Sequence, residues 1–480
     1  MIHKFSRCTL NAALILMLSG CSLLPNERVP EYNVPSATRN GTIVTEGGSD
    51  FAADPWWKGL DDPQLDRIVD DVLTSNKDLG IALANIAKAR SQLKAAQYAW
   101  LPTLGIQAGG VGAGGIETSY QPRGGLSQSS ALQNGLGNFS VAYAGFTPEY
   151  SLNIFETINQ TKVAQASLDM QQSAYYAARV TLIGQATAGY LNLIIARRNL
   201  ALQEHLIELF KKNKAATFVR YSSGSADGVA VAQLEGRLRQ ANTKRNQYIE
   251  EISALENALS VLMGKHVAPL ETVRNPMDVD PNLLIPKELP SSALRSRPDM
   301  QMAEANLRKT GAQVSLANAA FFPTISITSL LGGASMMLSN LFSSSGGVWM
   351  ASGSITGNVF NPQKYAAIAS AREDEKAAYA NYEKAVISAF ADVDNQLTGM
   401  QFANTNYEEW VEFSRAQHRE SQISLARYRS GMADIRTKLE AEIKVAESDL
   451  SLNTAKQHQL SQLVSLFQSF GSGYEYQPRK

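Results

Sequence analysis

Along much of this 480-residue chain apolar residues recur every third or fourth position. Tyr248, Ile252, Leu255, Leu259 and Leu262 step by 4, 3, 4 and 3; Leu439, Ile443, Ala446 and Leu450 step by 4, 3 and 4. That spacing lays one apolar stripe along a helix and predicts side-by-side helix packing, which a plain coiled coil in water would also satisfy. Elsewhere the period is two, as in Asn138-Phe139-Ser140-Val141-Ala142-Tyr143 and Thr324-Ile325-Ser326-Ile327-Thr328. It predicts strands over Leu101–Ala108, Phe139–Leu152, Thr324–Leu331 and Val348–Phe360, each pair flanking a Gly/Ser-rich loop. Alternation is poor in Val348–Thr356.

Proline sets the helix lengths. It punctuates residues 25 to 63, predicting an extended tail, and is absent from 149 to 268 and from 363 to 477. An interior proline costs a helix about 3 kcal/mol, so the two proline-free stretches predict very long helices. Each contains one breaker, Arg220-Tyr221-Ser222-Ser223-Gly224 and Arg427-Tyr428-Arg429-Ser430-Gly431, with Gly as the left-handed stop. Each stretch therefore reads as a helical hairpin. Its descending arm, from Phe155 to Gly224 in the first half, spans about 100 Å at 1.5 Å per residue.

The chain also repeats itself. Gly224 and Gly431 lie 207 positions apart, Asn153-Ile154-Phe155 matches Asn358-Val359-Phe360, and Trp100-Leu101-Pro102-Thr103 matches Phe321-Phe322-Pro323-Thr324. Each half reads helix, strand, strand, long helix, breaker, shorter helix. The expected layout is a signal peptide over 1–20, an extended tail over 21–60, repeats over 61–270 and 271–470, and a C-terminal tail over 471–480. The two shorter helices of a half match the long one in length, which predicts that they stack end to end beside it. Four strands cannot close a barrel around a lumen, and an open edge in lipid leaves backbone groups unpaired. Several chains must contribute; three give 12 strands, and spacing alone leaves trimer and tetramer open.

Composition narrows the class. Lys+Arg and Asp+Glu are 44 each, so there is no basic excess of the kind that attracts nucleic acid. His3, Lys4 and Arg7 precede the apolar run Leu10–Leu18, which is too short for a membrane helix. Leu18-Ser19-Gly20-Cys21 then resembles a bacterial lipobox, which implies cleavage and acylation at Cys21; Ser22 in place of Asp implies the outer membrane. Cys8 leaves with the signal, so no disulfide is expected. No other run approaches ~20 apolar residues, so any membrane crossing must use strands.

Catalytic chemistry is not expected, nor is a cofactor or metal. Gly110-Val111-Gly112-Ala113-Gly114-Gly115 matches a dinucleotide fingerprint, but a polar loop follows where a helix should open. His205, His266, His418 and His458 lack metal-ligand spacing and are assigned to solvated helix faces. Glu408, Glu409 and Glu412 read as a mixed-charge helix surface.

Trp56-Trp57-Lys58-Gly59-Leu60-Asp61-Asp62-Pro63-Gln64-Leu65-Asp66, Asn76-Lys77-Asp78-Leu79, the two Tyr-x-Ser-Gly tips and Leu294-Arg295-Ser296-Arg297-Pro298-Asp299 resemble TolC-like outer-membrane factors. The likeness is to the lipoprotein, NodT-type branch that works with resistance–nodulation–division (RND) pumps. The resemblance implies a mixed α and β membrane protein. It would be a homotrimer with a 12-stranded outer-membrane β-barrel (four strands per chain) and a long periplasmic α-helical barrel. It also implies docking, through tip turns at Tyr221, Ser223, Gly224, Tyr428, Ser430 and Gly431, to a periplasmic membrane-fusion adaptor and an inner-membrane RND-type or ABC transporter. Gate candidates near the tips are Asp227, Glu235, Asp434, Arg436 and Glu440. An acidic position of some members, six past the tip glycine, is Ala230 and Thr437 here. At the first strand-to-helix junction Tyr150-Ser151-Leu152-Asn153-Ile154-Phe155-Glu156 lacks the family's acid and glycine.

The expected function is a passive efflux conduit of a Gram-negative outer membrane, lipid-anchored and extending into the periplasm. The alternatives are the channel of an ABC-driven protein or peptide exporter and, in a different class, a periplasmic coiled-coil scaffold lipoprotein without a pore.

Overall fold

The computed structural model describes residues 44–45, 55–113, 139–272, 275–281, 289–290, 297–336, 341, 343, 347–357 and 360–473. The signal peptide, the lipidation site Cys21, residues 114–138 and 474–480, and the matching residues Asn358 and Val359 lie outside the described residues. So do Leu294, Arg295 and Ser296.

The elements run β1 (Val44–Thr45), α1 (Pro63–Ser75), α2 (Lys77–Tyr98), β2 (Thr103–Ala113), β3 (Phe139–Leu152), α3 (Ile154–Ser222) and α4 (Gly228–Leu262). The second series is β4 (Leu289–Pro290), α5 (Pro298–Ala319), β5 (Thr324–Ser335), β6 (Gly347–Thr356), α6 (Pro362–Arg429) and α7 (Ile435–Ser469). Proline placement explains the lengths: α3 covers 69 residues and α6 covers 68, with no interior proline, and the return helices α4 and α7 cover 35 each. Helix, two strands, long helix and return helix thus occur twice in the same order. β2 and β5 run farther than their alternation predicted, to Ala113 and Ser335, and both begin only after Pro102 or Pro323. Gly110 and Gly112 lie inside β2, so the described part of the apparent dinucleotide fingerprint is strand; Gly114 and Gly115 lie outside the described residues.

The chain divides into two compact units. One holds Ala89–Leu168 and Asn306–Ala378. Its center is an antiparallel sheet in the order β2-β3-β5-β6. The register aligns Ile106, Phe146, Leu331 and Trp349 in one row across all four strands. Leu104, Tyr150, Ile325, Ile327 and Ile355 share that face, because side chains alternate along a strand. Ile106 is 81% exposed, Trp349 78% and Ile355 72%. The opposite face carries the row Thr103, Glu149, Thr328 and Ser352, with Gln107, Tyr143, Thr147, Ser326 and Ser354. β6 alternates poorly because Ala351 and Gly353 thin out its apolar side while Val348 and Met350 top its polar side. Gly145 and Gly332 face each other so closely that a Cβ on either would meet backbone, the first at 2.6 Å from the Leu331 oxygen and the second against the Ala144 oxygen.

Asn153 supplies the junction that the sequence lacked. Its carboxamide oxygen accepts from the Glu156 amide at 3.2 Å while its nitrogen donates to the Ala319 and Phe322 carbonyls. Phe155 stacks on Phe322 at 4.1 Å. In the second half Asn361 is the cap, accepting from the Gln363 amide at 3.0 Å, three positions beyond the sequence-matched Asn358.

The other unit holds Pro30–Lys88, Asp169–Ala305 and Tyr379–Lys480. Its main core joins Trp56, Leu65, Ile68, Val72, Ile183, Tyr190, Leu259, Leu463 and Phe467. Trp56 stacks on Phe467 at 4.6 Å. Asp62 caps α1 through the Gln64 amide at 2.9 Å and accepts from the buried Tyr190 hydroxyl at 2.9 Å. End-to-end meetings occur twice. Asn76, between α1 and α2, donates to the Leu262 carbonyl at the end of α4. Arg297, at the start of α5, donates to the Ser469 carbonyl at the end of α7 at 2.8 Å. Buried Arg297 also donates to the Ala389 carbonyl and pairs with Asp299 at 2.7 Å and Asp392 at 3.2 Å. Toward the tips a second core joins Leu206, Leu209 and Phe210 of α3 to Ala241 of α4 and to Leu439, Ile443 and Ala446 of α7. Helix α3 is therefore clasped by its own return helix and by that of the second hairpin.

Candidate functional site: the paired hairpin tips

Both tips are built by the same backbone device. In the first, the Gly224 amide donates to the Tyr221 carbonyl and the Ser225 amide to the Arg220 carbonyl; in the second, Gly431 donates to Tyr428 and Met432 to Arg427. These bonds satisfy the orphan carbonyls of a helix end and require a left-handed residue, which Gly224 and Gly431 provide at φ 75° each. Ser223 and Ser430 hydroxyls donate to carbonyls one turn back, so both serines are spent on the turn. Tyr221 and Tyr428 remain exposed, as does Met432.

Three residues past each glycine an aspartate opens the return helix. Asp227 accepts from the Val229 amide at 3.2 Å; Asp434 accepts from the Thr437 amide at 2.9 Å and its hydroxyl at 3.0 Å. The Asp434 carboxyl is held below the usual carboxylate range, first by the Thr437 amide, which burial opposes as the next largest effect, and then by the Thr437 hydroxyl and the Arg436 and Arg220 guanidinium groups. Arg220, four residues before the first glycine, crosses to the second tip and pairs with Asp434 at 2.7 Å. This is the direct ion pair between the two tips among the described residues. Its duplicate is not closed: among the described residues Arg427, four before the second glycine, has no ion-pair partner, and the Asp227 carboxylate only caps its own helix.

The remaining candidates are locally engaged. Glu235 pairs with Lys214 of α3 at 3.2 Å, and Arg436 with Glu440 at 3.6 Å along α7. Ala230 and Thr437 put no charge six residues past either tip glycine. The geometry thus brings Asp434, Arg436 and Arg220 together and keeps Glu235 on a separate contact. Arg220 and Arg427 were not singled out as charge partners, although each stands four residues before a tip glycine. That repetition was the available signal.

No group of three or more His, Cys, Asp or Glu among the described residues is arranged to hold a metal. His205, His418 and His458 are exposed on helices, with His418 against Asp449 at 3.2 Å, whereas His266 lies beyond the end of α4 in irregular chain. Glu412 pairs with Arg415 on the mixed-charge surface of α6. No described helix is long and apolar enough to cross a membrane.

The sequence model of the outer membrane efflux protein family matches residues 68–265 and 289–472. The chain is similar to the antibiotic efflux pump outer membrane protein ArpC of Pseudomonas putida, 26% identical over 474 residues covering 96% of this chain and 95% of the relative. It is also similar to the cation efflux system protein CusC of Escherichia coli, 25% identical over 472 residues covering 96% and 97%. Among solved structures, the CmeC outer membrane channel of Campylobacter jejuni shares the fold with a TM-score of 0.79 over 94% of this chain and 95% of that one, at 22% identity.

Proposed function

The chain belongs to the outer membrane efflux protein family, and from that premise we propose that three copies form the passive exit channel of a tripartite efflux system. The observation that carries this reading is the two-faced sheet. One side presents Ile106, Phe146, Leu331 and Trp349 to its surroundings, and the other presents Thr103, Glu149, Thr328 and Ser352. Apolar-out and polar-in alternation is what a lipid-embedded barrel with an aqueous lumen requires. β2 and β6 each have one unpaired edge, and in lipid those edges must pair with other copies. Three copies supply twelve strands. A pore-free scaffold would leave the apolar face in water, which disfavors it.

Energy and substrate choice belong to the inner-membrane pump of RND type, reached through a periplasmic adaptor that docks at the Tyr221–Gly224 and Tyr428–Gly431 turns. Relatives of nearly equal identity are named for antibiotic and for cation efflux, so the conduit itself does not define the cargo. Acylation at Cys21 adds a membrane anchor.

The tips form the gate. Arg220 and Asp434 close one contact within a chain. By the internal duplication, Arg427 meets Asp227 of the next copy, so a closed trimer carries three contacts of each kind. The decisive experiment purifies the lipidated protein and measures mass and planar-bilayer conductance. A trimer with discrete channels is expected, with intersubunit crosslinking of an Arg427→Cys, Asp227→Cys protein. A water-soluble monomer without conductance sinks the channel. Channels without the crosslink refute the gate contact alone.

A further inference from the structure

Where the strands of the second half give way to helix, a pocket of about 400 Å³ is lined by Asn318, Phe321, Tyr365, Ile368, Ala369 and Arg372. Its polar lining groups are an amide, a phenol and a guanidinium, each able to donate. Among the described residues none of these three side chains has a hydrogen-bond or ion-pair partner. No carboxylate lines the pocket. The nearby Glu373 is paired with Lys376 at 2.8 Å, and Glu375 is turned toward Gly311 of α5. At the rim the Lys364 ammonium donates to the Ala320 carbonyl and stands 5.7 Å from the Phe321 ring. Phe321 and Phe360 flank Tyr365 at 4.9 and 6.4 Å, and Phe360 is 76% exposed. A cationic, donor-rich pocket is thus walled by apolar and aromatic groups. A small hydrophilic ion has no use for those walls.

Depth agrees with a membrane boundary. β5 begins at Thr324, three residues after Phe321, and its apolar face continues through Ile325 and Ile327. Helical side chains lean toward the helix N-terminus, and for α6 that direction is back toward the strands. Arg372 lies ten residues into α6, about 15 Å along its axis, and its long side chain can snorkel several ångström toward the interface. The polar zone of one leaflet is roughly 5–8 Å thick.

We infer that this pocket binds the phosphate of an anionic phospholipid from the leaflet at the helical end of the barrel. Arg372, Tyr365 and Asn318 hold the phosphate, and an acyl chain lies along Phe321 and the apolar sheet face. The inference rests on the channel reading, because only a membrane-embedded sheet brings lipid to this level. The first half has no equivalent: between Ile154 and Asp169 the one cation is Lys162. Each chain therefore carries one site.

The test uses the full-length trimer in detergent, titrated with headgroup-labeled phosphatidylglycerol and, separately, phosphatidylcholine. The native protein is expected to prefer phosphatidylglycerol, whose headgroup has no cation to offset the phosphate, and Arg372→Gln to weaken that binding about fivefold, the effect of one basic residue at a lipid surface, with a smaller loss for phosphatidylcholine. Lys376→Gln is the control and should change neither. Equal affinity for both lipids, or an unchanged Arg372→Gln, overturns the site. Inorganic phosphate that competes as strongly as the lipid also overturns it, by making it a free-anion site. Retained conductance in such a failure would show that the channel reading survives, whereas a protein that conducts in no bilayer fails at the earlier step.

Discussion

The return helices α4 and α7 are held in opposite ways at their two ends. Their C-terminal ends enter the large core of Leu259, Leu463 and Phe467, with buried polar clamps at Asn76 and Arg297. Their N-terminal parts share the smaller core of Ala241, Leu439 and Ile443, and toward the tips they are tied by exposed ion pairs, Arg220–Asp434 at 43% and 42% side-chain exposure and Lys214–Glu235 at 33% and 47%. Buried apolar area and clamped charges resist motion over the full stability of the protein, while an exposed ion pair is worth only about 0–1 kcal/mol. One end is an anchor and the other a latch. A gate needs both.

That contrast can be broken at the anchor first. Arg297→Ala removes the donor shared by the Ser469 and Ala389 carbonyls, Asp299 and Asp392. It should destabilize the trimer by about 3–5 kcal/mol, read as a lowered thermal midpoint with loss of assembled protein. Leu463→Ala should cost about 2–5 kcal/mol by the same readout, because Leu463 is fully buried in the core.

Lys456 sharpens the comparison from inside the anchor. Its ammonium is buried, donates to the Val279 carbonyl at 2.6 Å and to Gln459 at 2.8 Å, and stands 4.7 Å from the Tyr407 ring. Burial lowers its pKa to about 8, from an ordinary value of 10.5, with Asp280 opposing. The folded state sheds this proton before the unfolded chain does, so the contribution of Lys456 to stability rises between about pH 8 and 10.5. Lys456→Met should flatten that rise in thermal midpoints measured across the interval.

The smallest stability effect belongs to the latch. Asp434→Asn or Arg220→Gln should move the midpoint by no more than about 1 kcal/mol in stability terms. Both should raise single-channel open probability, and an equal rise at high salt in the native protein would support the same cause. Because the Asp434 carboxyl is held low, its contribution is full above the ordinary 3.8 and is lost as pH falls through the lowered folded value. If these variants gate like the native channel, the latch assignment is wrong.

How much the sequence disclosed follows the range of the physics. Proline-free runs, Tyr-x-Ser-Gly breakers and period-two segments are local, and they located α3, α6, both tips and the strands. The two faces of β5 were legible in Thr324 to Thr328 for the same reason. Contacts joining remote segments were not. Nothing local says that Arg220 reaches Asp434, 214 positions away, or that Arg297 reaches Ser469, 172 positions away. The repeat match of Asn153 to Asn358 does not carry over to the cap of α6, where the hydrogen bond is made by Asn361. The duplication preserved the fold at this junction but not the spacing.

The unpaired edges of β2 and β6 have a genetic consequence. In the proposed trimer, a chain whose outer strand cannot hydrogen-bond but whose helices still assemble would spoil the two sound partners it joins. Equal expression of sound and faulty alleles would leave about one assembly in eight wholly sound. Such lesions should therefore be inherited as dominant, whereas a chain too unstable to assemble would be recessive.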